Sequence, residues 1–344
     1  MVATRHRAFA VTIGCLATVS LSLALGACSS GTNAPADSGT GGVPVERLAY
    51  IVKFGSVPYF VQEDLGVQQA SDKLGIKTNT TDVEDDSDAA LSAVDTAIGQ
   101  GAQGLIVVAP NQNLGPVIAS KASAAGIPVI AVDDPLKDDQ GKALPFVGFD
   151  AAAIGEQVGT EIGAMINEAG IDPSELKIAA IEDQKTPVCM TRTASAQAAL
   201  EKSVPGISED NVIHVPYNND LNSAIDAMAP VATSNLDVKY WAVYSCNDAG
   251  VAGAWRALST QGLTGDNVFG VGIGGEYACQ IFKDEGANSG FRATYAVDSA
   301  LHGSKAVELL YDNLTNGTPI PLTTILPGIL ATPDNFTDVV VDCD

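Results

Sequence analysis

The chain alternates short apolar segments with longer amphipathic ones, and this alternation recurs from residue 47 almost to the C-terminus. The apolar segments are continuous runs, such as GLIVVA at 104–109 and PVIAV at 128–132, without a polar residue at every second position. Runs of this kind are typical of parallel strands that helices cover on both faces. The pattern therefore predicts an α/β fold built on parallel sheets.

The series of strands and helices restarts after Phe149, so the sequence predicts two lobes of similar design. The predicted strands are 47–52, 76–82, 104–109 and 128–132 in the first series, which ends in a short apolar segment at 146–149. Those of the second series are 177–181, 212–215, 240–244, 268–271 and 291–296. Helix-like segments separate the strands in both series. The fold class that we predict is α/β, with two doubly wound, Rossmann-like lobes.

The first 28 residues have the arrangement of a secretory signal. Arg5 and Arg7 precede an apolar run at 8–25, and small residues then lead to Cys28. The segment Leu-Gly-Ala-Cys resembles a bacterial lipobox, which implies that residues 1–27 are removed and that Cys28 carries a lipid. The alternative is an uncleaved transmembrane anchor, since the apolar run is about long enough to cross a bilayer. Both interpretations place the remaining chain outside the cytoplasm.

Composition predicts a tethered, acidic protein. Residues 28–46 are rich in Ser, Gly, Thr, Ala and Pro, which predicts a flexible tether. The whole chain has 18 Lys and Arg residues against 41 Asp and Glu residues, a net charge of −23. This charge argues against a nucleic-acid partner, which requires clustered basic residues, and leaves membrane attachment to the lipid. We expect a monomer.

The acidic run at 82–88 lacks the spacing of an EF-hand calcium site. It predicts a solvated loop in which Ser87 or Asp88 caps the next helix.

Four cysteines follow Cys28, namely Cys189, Cys246, Cys279 and Cys343. An even number in an exported protein favours two disulfides, with three alternative pairings. Buried free thiols are the other interpretation. Cys189 and Cys246 both follow predicted strands on the cleft side of the second lobe, which makes them candidate partners.

Polar and aromatic residues gather after the predicted strands. In parallel α/β sheets the carboxyl ends of the strands lie along one edge, and ligands bind there. We therefore predict a ligand cleft between the two lobes. The candidates are Lys53, Tyr59, Phe60, Asp133, Asp134, Phe149, Glu182, Arg192 and Asn247.

These side chains suit a carbohydrate. Planar carboxylate, amide and guanidinium groups can each hold two hydroxyl groups, and the apolar C–H face of a sugar packs on an aromatic ring. Only His214 and His302 follow the signal as histidines, and the HExxH and GxSxG motifs are absent. We expect a binding protein without a cofactor or metal. A glycosidase that uses Asp133 and Glu182 is the less favoured alternative.

A longer set of segments resembles the type I periplasmic solute-binding proteins of ABC transporters, and within that family the L-arabinose-binding members. The resemblance runs from about residue 47 to the C-terminus. The matching segments are VK at 52–53 with PYF at 58–60, GLIV at 104–107 through Pro110, VIAVDD at 129–134, IGE at 154–156, TRT at 191–193, ND at 247–248 with RA at 256–257, GVGI at 270–273, HG at 302–303 and TPDNF at 332–336.

The resemblance implies roles for the candidate residues by position. Five polar residues would hydrogen-bond the sugar: Lys53, Asp133, Asp134, Arg192 and Asn247. Four others would contact it: Tyr59 and Phe60 by stacking, Phe149 by packing beside the ring, and Cys246 in place of an apolar contact.

Three positions depart from the arabinose-binding pattern. Val57 replaces an acidic residue, and Gly274 and Tyr277 replace an Asn and an Asp. A site that pairs with hydroxyl groups discriminates strongly against a mismatched sugar. The departures predict a ligand other than L-arabinose in its usual ring form, with Glu182, Asp183 or Tyr277 supplying replacement contacts.

The resemblance also implies a hinge between two lobes and delivery of the sugar to an ABC permease. The three hinge crossovers would lie near 148–150, 296–299 and 325–329. They would join an N-terminal lobe, 47–149 plus 298–327, to a C-terminal lobe, 150–297 plus 328–344. Closure of the lobes would bury the ligand and change the surface that the permease meets. A sensor that presents the closed form to a membrane kinase or chemoreceptor is the alternative.

Overall fold

The computed structural model of the chain describes residues 44–341 and 343. The predicted signal at 1–27, the predicted lipid site Cys28 and most of the predicted tether at 28–46 lie outside the described residues. In the part of the chain that is described, no helix combines the length and the apolar character needed to span a bilayer.

Strands and helices alternate along the described chain. The strands are β1 (Arg47–Val52), β2 (Lys77–Asp82), β3 (Leu105–Val107), β4 (Val129–Val132), β5 (Phe146–Gly148), β6 (Leu176–Glu182), β7 (Val212–Pro216), β8 (Tyr240–Ser245), β9 (Val268–Gly274), β10 (Phe291–Ala296), β11 (Thr323–Ile325) and β12 (Ile329–Ala331). The helices are α1 (Pro58–Leu74), α2 (Ser87–Gly99), α3 (Gly115–Ala125), α4 (Ala151–Ala169), α5 (Pro187–Ser203), α6 (Leu221–Ser234), α7 (Asp248–Ser259), α8 (Ala278–Glu285), α9 (Ser299–Asn316) and α10 (Phe336–Val339).

The strands form two six-stranded sheets with related topology. The first has the order β11-β5-β4-β3-β1-β2 and the second the order β12-β10-β9-β8-β6-β7. All pairings are parallel except that of β10 with β12, which is antiparallel. The strand order reverses at β1 and β3 in one sheet and at β6 and β8 in the other, where doubly wound folds bind ligands. The predicted α/β class with two doubly wound sheets is confirmed.

The apolar strands are buried on both faces, as their continuous Val and Ile runs predict. Along β1, Ala49 and Ile51 belong to one core of the first sheet, whereas Leu48 and Tyr50 belong to the core on its other face. The side chains of a strand alternate between the two faces of its sheet. Every position of such a strand must therefore be apolar.

Helices α4 and α5 pack closely because glycines face the contact. A Cβ at Gly155 would overlap the backbone oxygen of Arg192, and a Cβ at Gly159 would overlap that of Ala196. The absence of these side chains lets the two backbones approach. The same packing fixes α5, the helix that carries Arg192.

Two local features differ from the sequence-based expectation. The side chain of Asp86, rather than that of Ser87 or Asp88, caps α2, and it accepts hydrogen bonds from Asp88 N at 2.8 Å and Ala89 N at 2.9 Å. The expected cap was therefore wrong, because α2 begins earlier than the periodic apolar residues indicate. The short strands β11 and β12, one in each sheet, were not predicted.

Candidate functional site

A cavity of about 270 Å³ lies beyond the carboxyl ends of strands from both sheets. Its size is near the lower end of small-molecule pockets, which span about 300–1,000 Å³. Nine of the eleven ligand contacts predicted from the sequence line it: Lys53, Tyr59, Phe60, Asp133, Asp134, Phe149, Arg192, Cys246 and Asn247. These residues are spread along the chain from Lys53 to Asn247 and meet because strand ends of two sheets converge.

Lys53 and Asp134 form a buried ion pair at one side of the cavity. Lys53 follows β1 and Asp134 follows β4, and Lys53 Nζ lies 2.5 Å from Asp134 Oδ2. The two side chains are 9% and 3% exposed, so water screens the pair little. Lys53 Nζ also lies 5.8 Å from the centroid of the Phe60 ring, within cation–π range. The pair presents a charged donor and a charged acceptor to the cavity.

Asp133 is held in a strained turn directly after β4. Its φ is 59°, and Asp134 N donates to Val132 O at 2.6 Å across it. Left-handed backbone is uncommon outside glycine and clusters at functional sites. Asp133 Oδ1 accepts a hydrogen bond from the Tyr59 hydroxyl at 2.8 Å and lies 3.1 Å from His302 Nδ1. These contacts leave Oδ2 without a partner.

Burial and hydrogen bonding act in opposite directions on this carboxylate. Burial disfavours the charged form of Asp133, but the hydrogen bonds with His302 and Tyr59, together with the neighbouring Glu63, outweigh it and lower its pKa to about 2. Burial, and next the charge of Asp133, raise the pKa of Glu63 well above its usual value. The surroundings therefore favour the charged form of Asp133 and disfavour that of Glu63.

Glu63, Asp133 and His302 are the described residues whose potential metal-ligand atoms converge, all within 4.8 Å of one another. The Tyr50 hydroxyl donates to Glu63 Oε1 at 2.8 Å, and the Tyr59 hydroxyl donates to Asp133 Oδ1. One oxygen of each carboxyl is thus already occupied by a tyrosine hydroxyl, and the raised pKa of Glu63 disfavours the deprotonated form that metal binding needs. The arrangement suits a hydrogen-bond network that orients Asp133.

Arg192 lies on the opposite side, on α5. Its guanidinium carbon is 4.4 Å from the centroid of the Phe149 ring, and Nη1 donates to the backbone oxygen of Cys246 at 3.0 Å. Cys246 is disulfide-bonded to Cys189 in the first turn of α5, with Cα atoms 4.8 Å apart. The disulfide and the hydrogen bond together join α5 to the end of β8.

Asn247 follows Cys246 and caps α7. Its Oδ1 accepts from Gly250 N at 3.2 Å and from the Tyr217 hydroxyl at 2.9 Å, and its Nδ2 donates to Asn219 Oδ1 at 2.7 Å. An amide nitrogen carries two hydrogens. One donor of Asn247 is therefore available to a ligand in the cavity.

The chain matches known proteins over most of its length. Residues 48–318 match the periplasmic binding protein domain. The chain belongs to the periplasmic binding protein family. It is 33% identical over 299 residues to the ABC transporter L-arabinose-binding periplasmic protein of Azospirillum brasilense, covering 84% of this chain and 87% of the relative. It is 30% identical over 295 residues to the L-arabinose-binding periplasmic protein of Escherichia coli K12, covering 84% and 88%.

Solved structures of this family share the fold. The Caulobacter myo-inositol binding protein bound to myo-inositol is 21% identical, with a TM-score of 0.73 over 86% of this chain and 95% of that one. The resemblance to type I periplasmic binding proteins inferred from the sequence is confirmed, and so is its similarity to the arabinose-binding members.

Two predicted contacts of this periplasmic binding protein do not line the cavity. Glu182 ends β6, and its Oε1 lies 3.0 Å from His214 Nδ1, a residue of the neighbouring strand β7. Tyr277 precedes α8 and packs against one of the hydrophobic cores of the second sheet, which contains β6 to β10. Glu182 also lies apart from Asp133, so the carboxyl pair of the glycosidase alternative is not assembled at the cavity.

The sequence reasoning missed several lining residues of this periplasmic binding protein. Asn219 and Asp220 follow β7, and Glu276 follows β9. Asn219 and Asp220 carry the same signal, a polar residue after a strand, that identified the others. Glu276 was passed over in favour of its neighbour Tyr277.

The second disulfide joins Cys279 to Cys343, with Cα atoms 5.5 Å apart. Together with Cys189–Cys246 it accounts for all four cysteines that follow Cys28. The candidate partnership of Cys189 with Cys246 is the one present in the structure.

Proposed function

We propose that this protein is an extracytoplasmic sugar-binding protein that captures a monosaccharide or a related polyol in the cavity and delivers it to an ABC permease. The observation that carries the proposal is the set of polar groups around one cavity. It includes an ion pair, an ionised Asp133, the guanidinium of Arg192 and a free amide donor of Asn247. Such groups match the dense donors and acceptors of a sugar. The L-arabinose-binding relatives support the same class of ligand.

The aromatic residues support the apolar part of the same ligand. Phe149 and Phe60 line the cavity, and each already carries a cation at its face or edge. A sugar ring has apolar C–H faces that pack on such rings. The departures at Val57, Gly274 and Tyr277 favour a ligand other than L-arabinose in its usual ring form.

Capture would work by closure of two lobes, 47–149 plus 298–327 and 150–297 plus 328–344. The connections between them, near 148–150, 296–299 and 325–329, would be the hinge. Closure would remove the ligand from water and present a composite surface to the permease. The protein would act as a monomer and without catalysis.

Attachment to the membrane would come from the lipid on Cys28 and the tether at 28–46. A tether of this composition behaves as a flexible chain, so a soluble binding domain would stay within reach of its permease. Replacing Cys28 by Ser should move the protein from the membrane fraction to the soluble extracytoplasmic fraction. Retention of the variant in the membrane would contradict lipid anchoring.

A thermal-shift screen tests the ligand class. The panel is L-arabinose, D-ribose, D-galactose, D-allose and myo-inositol. A ligand at 100 times its Kd adds about 2.7 kcal/mol of stability, which raises Tm by several degrees in a protein of this size. At least one member of the panel should give this shift. The absence of a shift with every sugar and polyol tested would contradict the proposal.

A further inference from the structure

The loop between β9 and α8 is built to present one side chain, that of Glu276. Gly274 and Gly275 have φ values of 129° and 104°, which L side chains rarely adopt. The buried carboxylate of Asp248 accepts hydrogen bonds from Gly275 N at 2.9 Å and Tyr277 N at 3.4 Å. The Thr294 hydroxyl donates to the other oxygen of Asp248 at 2.6 Å. The backbone on both sides of Glu276 is therefore fixed.

The carboxyl of Glu276 occupies the space that a side chain at Gly274 would fill. A Cβ built on Gly274 would overlap Glu276 Oε2. That oxygen is buried and has no hydrogen-bond partner. Buried polar atoms in folded proteins are nearly always paired. An unpaired carboxyl oxygen at a cavity wall therefore indicates a group that awaits a ligand.

Glu276 also lies where two cavities adjoin. A second cavity of about 210 Å³ shares four lining residues with the first, namely Tyr59, Gly274, Glu276 and Val297. Gln62 lines the second cavity, and its Oε1 is another buried acceptor without a partner. Two residues that line the second cavity, Gln62 and Glu276, thus each carry an unsatisfied buried acceptor.

We propose that Glu276 determines ligand specificity by hydrogen-bonding a hydroxyl group of the sugar or polyol at this junction, with Gln62 Oε1 as the next acceptor. The inference rests on the proposed function and names a residue for its selectivity. Burial, and next the charge of Asp248, raise the pKa of Glu276 well above its usual value. As a carboxylate this side chain accepts from a hydroxyl group, and in its protonated form it can also donate to one. A site that pairs with a hydroxyl rejects an analogue that lacks it.

The test separates polarity from packing with two substitutions of similar length. Glu276→Gln keeps a donor and an acceptor, whereas Glu276→Met keeps the bulk and removes both. Kd is measured by calorimetry for the five panel compounds and for the deoxy analogues of the tightest one. We expect Glu276→Met to weaken the tightest ligand at least about tenfold and Glu276→Gln less than about threefold. The same two substitutions at Glu168, an exposed residue outside both cavities, are the control.

The deoxy analogues identify the hydroxyl. One analogue should lose affinity for the native protein yet bind the Met variant as well as its parent sugar does, because the shared contact is already gone. The inference is overturned if sugars bind and Glu276→Met keeps their affinities and ranking. It is also overturned if the Gln and Met variants lose affinity equally. If no panel compound binds the native protein, the proposed function fails and the inference fails with it.

Discussion

The disulfide Cys189–Cys246 should matter for sugar binding beyond its effect on stability. It joins the first turn of α5 to the residue before Asn247, and Cys246 also receives the hydrogen bond of Arg192. Both cysteines line the cavity. Removing the bond by Cys189→Ser with Cys246→Ser would release two of the side chains that we expect to hold the ligand.

The chain contains a matched control in Cys279–Cys343. The sequence separations of the two disulfides are 57 and 64 residues. In the loop-closure model, disulfides that close loops of this length stabilise the folded state by about 4 kcal/mol each. Neither Cys279 nor Cys343 lines the first cavity, although Cys279 lines the second, and the loop of Glu276 is held separately by Asp248. The two double variants should therefore lose similar free energies of unfolding.

Their ligand affinities should differ. Immobilising a flexible side chain on binding costs about 0.5–1.5 kcal/mol. Releasing Arg192 and Asn247 should therefore cost about 1–3 kcal/mol of binding free energy, which corresponds to a loss of about 5- to 150-fold in affinity. Urea unfolding measures the stability of each variant, and calorimetry with the tightest panel sugar measures Kd. Equal losses of affinity in both double variants, or a Cys189/Cys246 variant within twofold of native, would refute the positioning role.

Three further predictions concern the site and the packing around it. The pKa of Asp133 is about 2 in the folded state and near 3.8 in the unfolded state, so ionised Asp133 stabilises the fold above pH 3.8. This contribution is lost as the pH falls from about 4 to 2. Urea-unfolding midpoints across this range should therefore fall less for Asp133→Asn than for the native protein. In Arg192→Lys, the lysine side chain can neither stack on Phe149 as the guanidinium does nor offer a forked set of donors. Calorimetry should therefore show a sugar affinity at least about tenfold weaker. An affinity equal to that of the native protein would contradict the assigned contacts. Gly159→Ala should lower the free energy of unfolding in urea by about 1–3 kcal/mol because the added Cβ meets a backbone oxygen. Gly99→Ala in α2, where nothing lies near the added Cβ, should raise it by about 0.5–1 kcal/mol. Equal effects of the two substitutions would contradict the close packing of α4 on α5.

Features set by local periodicity and by strand ends could be predicted from the sequence. The run at β1 predicted a strand buried on both faces, and its residues do alternate between two cores. Lys53, Asp133 and Asn247 were found because each lies within two residues of the end of a buried strand. Doubly wound topology brings strand ends to one edge regardless of the distance along the chain.

Features that depend on the direction of a side chain or on a partner far along the chain could not be predicted from the sequence. Glu182 also follows a strand core, yet its side chain points along the sheet to His214 of the neighbouring strand. His302 contacts Asp133 across 169 residues, and no local pattern identifies that partnership. Glu276 reaches the cavity only because two glycines and Asp248 shape its loop. Each of these outcomes depends on tertiary contacts that sequence spacing does not encode.

The unpaired buried polar atoms explain why ligand binding should be visible as stability. Among the described residues, such side-chain atoms belong to Gln62, Glu63, Asp133, Arg192, Glu276 and His302. Each residue of this set either lines one of the two adjoining cavities or belongs to the cluster around Asp133. An unsatisfied buried polar group lowers the free energy of unfolding by about 1–3 kcal/mol. Among the described residues, unpaired buried side-chain atoms destabilise the folded state only around the cleft. A ligand that pairs with even two of these atoms recovers that loss, and the recovered free energy is gained only in the folded state.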